Sequence, residues 1–123
     1  METNDPLARI DELRLLRAGW LDGHGQVPSP AEFDWLETFF TQSYPSSLPA
    51  PYVFPTEDGG IQLEWRTGNQ DMSLEINLSD KSGEVHTFNT ETYEEIYEEL
   101  SLVDQEDIDR LIDLVSKAAR GEI

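Results

Sequence analysis

The side chains able to do chemistry in this sequence are carboxylates above all, followed by two histidines and a scatter of serines. Glu64 and Glu75 lie on the polar side of two alternating apolar–polar segments, so a hairpin joining those segments makes the two carboxylates diagonal neighbours. Such a pair serves general acid–base catalysis when one carboxyl is buried and its proton affinity raised. Nothing around Glu64 or Glu75 predicts that burial, and solvated carboxylates far outnumber tuned ones. His24 and His86 stand apart from any acid at a metal-binding interval such as H-E-x-x-H, which favours a structural or solvent-facing role. No serine sits in a G-x-S-x-G elbow. Gly23-His24-Gly25 and Gly59-Gly60 do not extend into a phosphate-cradling or dinucleotide pattern, and read as turn formers. Asp104, Glu106, Asp107 and Asp109 come nearest to a calcium cluster, but without the glycine and terminal glutamate of a calcium loop. The absence of cysteine excludes disulfides, thiolate metal sites and thiol nucleophiles. No catalytic, cofactor-binding or metal-binding residue is therefore assigned, and no cofactor is expected.

What is left is charge. The 26 acidic and 8 basic residues give a net charge of -18, distributed along the whole chain and densest after residue 90. That field repels nucleic-acid backbones and anionic membranes and attracts cationic surfaces. A small domain stays soluble with a net charge of about 2–8, and the surplus calls for a basic protein as partner. Glu91, Glu94, Glu95, Glu98 and Glu99 recur at three- and four-residue spacing, which on a helix makes a row of carboxylates about 5–6 Å apart. Those five, with Glu64, Glu75 and Asp104, are the candidate partner-binding residues. Carboxylates in such a row can occupy a basic groove in place of phosphates.

The elements that must position these residues follow from periodicity. Leu7, Ile10, Leu13 and Leu16 predict an amphipathic helix over 6–18, stopped at Gly19, with Trp20 anchoring the glycine-rich loop behind it. Ser29, Pro30 and Glu32 supply an N-cap, a first-turn proline and a capping-box carboxylate for a second helix, whose apolar face is Phe33, Leu36, Phe40 and Tyr44. Trp35 and Phe39 add more apolar surface than one helix face buries, which points to a homodimer or an interface. From Tyr52 to Phe88 the period becomes two, with turn signals at Glu57-Asp58-Gly59-Gly60, Gly68-Asn69 and Asp80-Lys81-Ser82-Gly83. Tyr93, Ile96, Tyr97 and Leu100 then predict a helix from about residue 91, and Ile108, Leu111, Ile112 and Val115 a last one opened by Asp104 and Asp107. The expected architecture is one α+β domain over 1–123: two N-terminal helices, a four-stranded antiparallel meander, and C-terminal helices packed on one face of the sheet.

Two segments resemble a pattern found in a group of small bacterial and phage proteins without an assigned activity. Trp20-Leu21-Asp22-Gly23-His24-Gly25 is similar to that group's W-D-G-Y-G-A loop, with Leu21 inserted and His24 in place of an aromatic. Pro55-Thr56-Glu57-Asp58-Gly59-Gly60-Ile61-Gln62-Leu63-Glu64-Trp65 resembles its P-T-x-D-G-G-h-x-L-E-W hairpin. The resemblance implies a bacterial or phage origin and an α+β fold, and supplies no activity.

No apolar run approaches the roughly 20 residues that span a bilayer, and METNDPLARIDEL lacks the features of a leader, so a cytoplasmic location is expected. The leading functional expectation is a non-enzymatic inhibitor of the anti-CRISPR kind, from a phage or mobile element, that covers the basic surface of a nucleic-acid-binding complex. An antitoxin or immunity-like protein against a basic toxin is the alternative. A small enzyme or ligand-binding domain using the Glu64–Trp65 hairpin is a third.

Overall fold

In the computed structural model, which describes residues 5–122, three α-helices and five strands follow one another along the chain. Residues 1–4 of the segment read for a leader lie outside the described residues.

Helix α1 (Pro6–Leu13) opens on Asp5, whose carboxylate accepts from the Leu7 and Ala8 amides at 3.1 and 3.4 Å, with Pro6 at the first turn where its missing N–H costs nothing. It ends at Leu13, earlier than the periodicity predicts, and Leu16 packs on the core from the following loop. Helix α2 (Pro30–Thr38) has the expected capping box. Ser29 Oγ accepts from the Glu32 amide at 3.1 Å, and the Glu32 carboxylate accepts from the Ser29 amide at 2.8 Å. A π-helical turn, Phe39–Ser43, continues α2, and its wider winding lets the consecutive rings of Phe39 and Phe40 both reach the core, edge to face at 5.5 Å. Phe39 is thus buried, and Trp35 stacks on it at 5.8 Å under the Lys81 ammonium. The apolar excess that suggested a homodimer is largely absorbed within the chain.

Strands β1 (Tyr52–Pro55), β2 (Ile61–Thr67), β3 (Gln70–Asn77), β4 (Ser82–Asn89) and β5 (Glu95–Ser101) form one antiparallel sheet in the order β1-β2-β3-β4-β5. The meander therefore has five strands, not four. Its fifth strand occupies the place of the helix expected from residue 91. As a helix, that segment would set Glu91 against Glu95, Glu94 against Glu98 and Glu95 against Glu99 at destabilising i,i+4 spacing. Asn89 also turns the chain back instead of starting a helix, accepting from the Glu91 and Thr92 amides at 2.9 and 3.1 Å while its own amide bonds the Glu94 carbonyl at 3.0 Å. Leu100 in β5 and Leu102 just beyond it are both buried, and the pairing satisfies the edge of β4.

One face of this sheet carries the core. Val53, Leu63, Trp65, Leu74, Ile76 and Val85 point to the helices and are at most 2% exposed. Helix α3 (Gln105–Ala119), the single C-terminal helix, packs there through Ile108, Leu111, Leu114, Val115 and Ala118. Trp65 ties the α2 side to the sheet. Its indole N–H lies 3.0 Å from the Tyr44 oxygen and 3.2 Å from the Pro49 carbonyl, to which the Tyr44 hydroxyl donates. Burial pushes that hydroxyl up to about 12, against the opposing effect of the Trp65 hydrogen bond.

The turn before β2 depends on close backbone approach. A Cβ on Gly60 would stand 2.6 Å from the Ile76 carbonyl oxygen and 2.9 Å from Thr56 Oγ1. Because the first of these is backbone, Gly60→Ala should destabilise the fold by about 1–3 kcal/mol, read as a lowered urea midpoint with an unchanged m-value.

Candidate functional site

Among the described residues no helix lies over the other face of the sheet, and the register arranges its side chains in three rows. Arg66, Asp71, Phe88 and Glu95 form one row. Tyr52, Glu64, Ser73, His86 and Tyr97 form the second, across all five strands. Phe54, Gln62, Glu75, Glu84 and Glu99 form the third. Period-two alternation dictates this result, since every residue opposite the buried set must face out.

In the third row Glu75 is directly opposite Glu84, and Glu84 directly opposite Glu99. Neighbouring strands are ~4.8 Å apart, so three like charges stand side by side, an arrangement that works against sheet formation. All three are exposed and end on a broad depression of about 900 Å³ that continues toward Asp58, Asp80 and Ser101. The second row is aromatic at both ends. His86 stacks on Tyr97 at 4.4 Å with 16° between the planes, and Arg66 lies over Tyr52 at 5.7 Å. Tyr97 is 61% exposed. Cationic compensation on the face is slight: Arg66 reaches Glu64 at 3.7 Å. His86 Nε2 lies within hydrogen-bond distance of Glu95, at 3.3 Å.

The structure divides the expected contact residues. Glu64, Glu75, Glu95 and Glu99 share the open face, on three different strands rather than one helix. Glu91 and Glu94 sit in the exposed turn ahead of β5. Glu98 points to the opposite side, where Arg110 of α3 donates to both its oxygens, with Nε at 3.2 and 3.0 Å. Those hydrogen bonds hold the Glu98 carboxyl below its ordinary range. Asp104 is the α3 N-cap, accepting from the Glu106 amide at 3.0 Å. Glu98 and Asp104 are therefore structural, because their acceptor oxygens already hold Arg110 and the helix end. Sequence reading overlooked Glu84, the centre of the glutamate row, and the exposed aromatics Tyr52, Phe54 and Tyr97. The strand alternation that places Glu64 also places Glu84, and supplied the signal for it.

The two segments that carry the family resemblance meet beside this face. The Gln26 amide donates to the Glu57 carbonyl at 2.8 Å, and Gln26 bridges Asp58. Trp20 closes its loop by donating to the Gln26 carbonyl at 2.9 Å, its ring covering Gly25 so tightly that a Cβ there would lie 2.7 Å from Nε1. Their joint role in the structure is architectural: the loop before α2 is clamped to the turn before β2. His24 stands at this junction near Glu57, Asp58 and Glu75. Among the described residues no three His, Asp or Glu side chains converge as a metal ion requires. No helix among them is long and apolar enough to cross a membrane.

Comparison with family models, with curated proteins and with solved structures finds no significant match.

Two outcomes follow from the electrostatics of the open face. Glu84→Gln removes the central charge of the row and should raise stability by about 0.2–1 kcal/mol, measured by urea denaturation at low salt; a loss of stability would mean the row is not repulsive. Glu98 behaves oppositely. Its depressed folded-state pKa contributes stability that is complete above the unfolded value and lost as pH falls through the folded one. Glu98→Gln should lower the melting temperature near neutral pH and shrink the difference from the parent as pH drops below about 4; a pH-independent difference would remove the Arg110 pair as its cause.

Proposed function

We propose that this chain is a non-enzymatic binding protein that inhibits a basic partner by laying its open sheet face over the surface with which that partner holds nucleic acid. The observation that carries this reading is the directly opposed row Glu75, Glu84 and Glu99, which opposes folding and sits in solvent where neutral side chains would serve the fold better. Stability given up at one exposed place is what a binding surface looks like from the side of thermodynamics.

The remaining chemistry of the face supports the same partner class. Asp71, Glu64 and Glu95 extend the negative field, while Tyr52, Phe54 and Tyr97 supply apolar area of the kind that anchors interfaces. An arginine of the partner can stack on Tyr97 and reach the flanking Glu95 or Glu99, combining a cation–π contact with a charge-assisted hydrogen bond. Association driven this way is fast and salt-dependent. The enzymatic alternative loses ground, since Glu64 is paired with Arg66 and Glu75 is open to solvent. A phage or mobile-element inhibitor remains the favoured setting. Neutralisation of a basic toxin would use the same contacts.

The test is capture from a bacterial lysate on the immobilised protein. Nucleic-acid-binding proteins of high pI should be retained at about 50 mM salt and released by about 200 mM, and duplex DNA should compete for them. The triple variant Glu75→Gln, Glu84→Gln, Glu99→Gln should lose them while keeping its fold. Equal retention by the triple variant would overturn the assignment of this face.

A further inference from the structure

The two edges of the sheet are finished differently. Strand β1 has four residues, follows Pro51 and ends on Pro55, and is flanked by α1, whose Arg9 Nε donates to the Val53 carbonyl at 3.0 Å. Proline and a bound side chain are two ordinary ways to close an edge. Strand β5 has seven residues, no proline, and a strand neighbour on one side only.

The direction of its backbone groups follows from the register. Because the Asn89 amide bonds the Glu94 carbonyl, the residues of that parity, Ile96, Glu98 and Leu100, exchange hydrogen bonds with β4. The amides and carbonyls of Glu95, Tyr97 and Glu99 then point away from the sheet, and no group among the described residues bonds them. The Ser101 amide points the same way and is capped by Asp107 Oδ2 at 2.7 Å, which marks the end of the open stretch.

We propose that the outer edge of β5 receives one added strand, in which lysine or arginine alternates with a β-branched apolar residue. The proposal rests on the basic-partner reading above and specifies how the partner docks. Charge and apolar exposure on the two sides of β5 select this occupant. On the open face an added strand meets Glu95 and Glu99 around Tyr97. On the helix side it meets Ile96, 40% exposed, while Glu98 is already neutralised by Arg110. A second copy paired antiparallel about Tyr97 would set Glu95 against Glu99 twice, which like-charge repulsion disfavours. The same glutamates that prevent self-pairing admit a cationic strand, so the edge is protected and selective at once. Main-chain bonds would supply affinity and alternate side chains specificity.

The experiment uses the full chain and an acetylated, amidated nine-residue peptide of alternating Lys and Val, with amide exchange followed by NMR. Expected are slowed exchange at Glu95, Tyr97 and Glu99 by tenfold or more, and no effect of the corresponding Glu/Val peptide. Tyr97→Pro removes an N–H that bonds nothing within the fold and should weaken the Lys/Val peptide at least tenfold. N-methylation of the peptide's edge-facing amides, which leaves its charge intact, should do the same without altering the protein. Undiminished binding of the methylated peptide, or failure of the Lys/Val peptide to bind, overturns the strand-addition proposal. Lysozyme, a compact basic protein, separates this failure from that of the broader reading. Lysozyme binding that the Glu75, Glu84 and Glu99 triple variant loses preserves the open face as a basic-partner surface, whereas binding of neither probe removes both.

Discussion

Burial on one side of the sheet only is the constraint on which the remaining features depend. Leu63, Trp65, Leu74, Ile76 and Val85 occupy successive alternate positions, and a slip of one residue in any strand would drive them into water and carry Glu64, Glu75 or Glu84 into the core. Each buried side chain of that size is worth about 1.5–3 kcal/mol, far more than the few tenths lost where two exposed glutamates face each other. Hydrophobic register therefore wins over charge repulsion, and the carboxylates are aligned because the core gives them no other choice.

The acids fall into two populations with different physical tasks. Asp5, Glu32 and Asp104 cap helices, Asp80 accepts from the Ser82 amide and hydroxyl, Asp107 closes the end of β5, and Glu98 pins β5 to α3. The Ser82 hydrogen bonds hold the Asp80 carboxyl below its usual range. Glu75, Glu84 and Glu99 do none of this work: Glu84 has the other two as its neighbours across the strands. Net charge alone cannot separate the two groups, but the acceptor partners of each carboxylate do.

Legibility in the sequence followed the range of the interactions involved. Local signals were read correctly: the Ser29–Glu32 capping box, the Gly68 turn, which takes positive φ between Thr67 and Gln70, and the apolar stripe of α3. The segment after residue 91 reads as a helix because Ile96 and Leu100 satisfy a helical interval, yet with Glu98 between them they satisfy a strand interval as well. Pairing with β4 decides between the two, and that partner lies outside any local window. The candidate site suffered from the same ambiguity. In the sequence Glu95 and Glu99 stand out as part of a helical row, whereas their real neighbours, Phe88 and Glu84, become visible only once the strands are aligned.

A plain meander has a kinetic corollary. Each strand hydrogen-bonds the strand adjacent to it in the chain, so no loop must be threaded and each pairing closes only a short segment. Assembly can spread outward as a zipper from the tight Gly68 hairpin, with β5 joining on the strength of β4 alone and α3 sealing the sheet afterwards. Among the described residues no strand lies beyond β5, so the sheet ends there for want of another strand rather than for want of bonding groups.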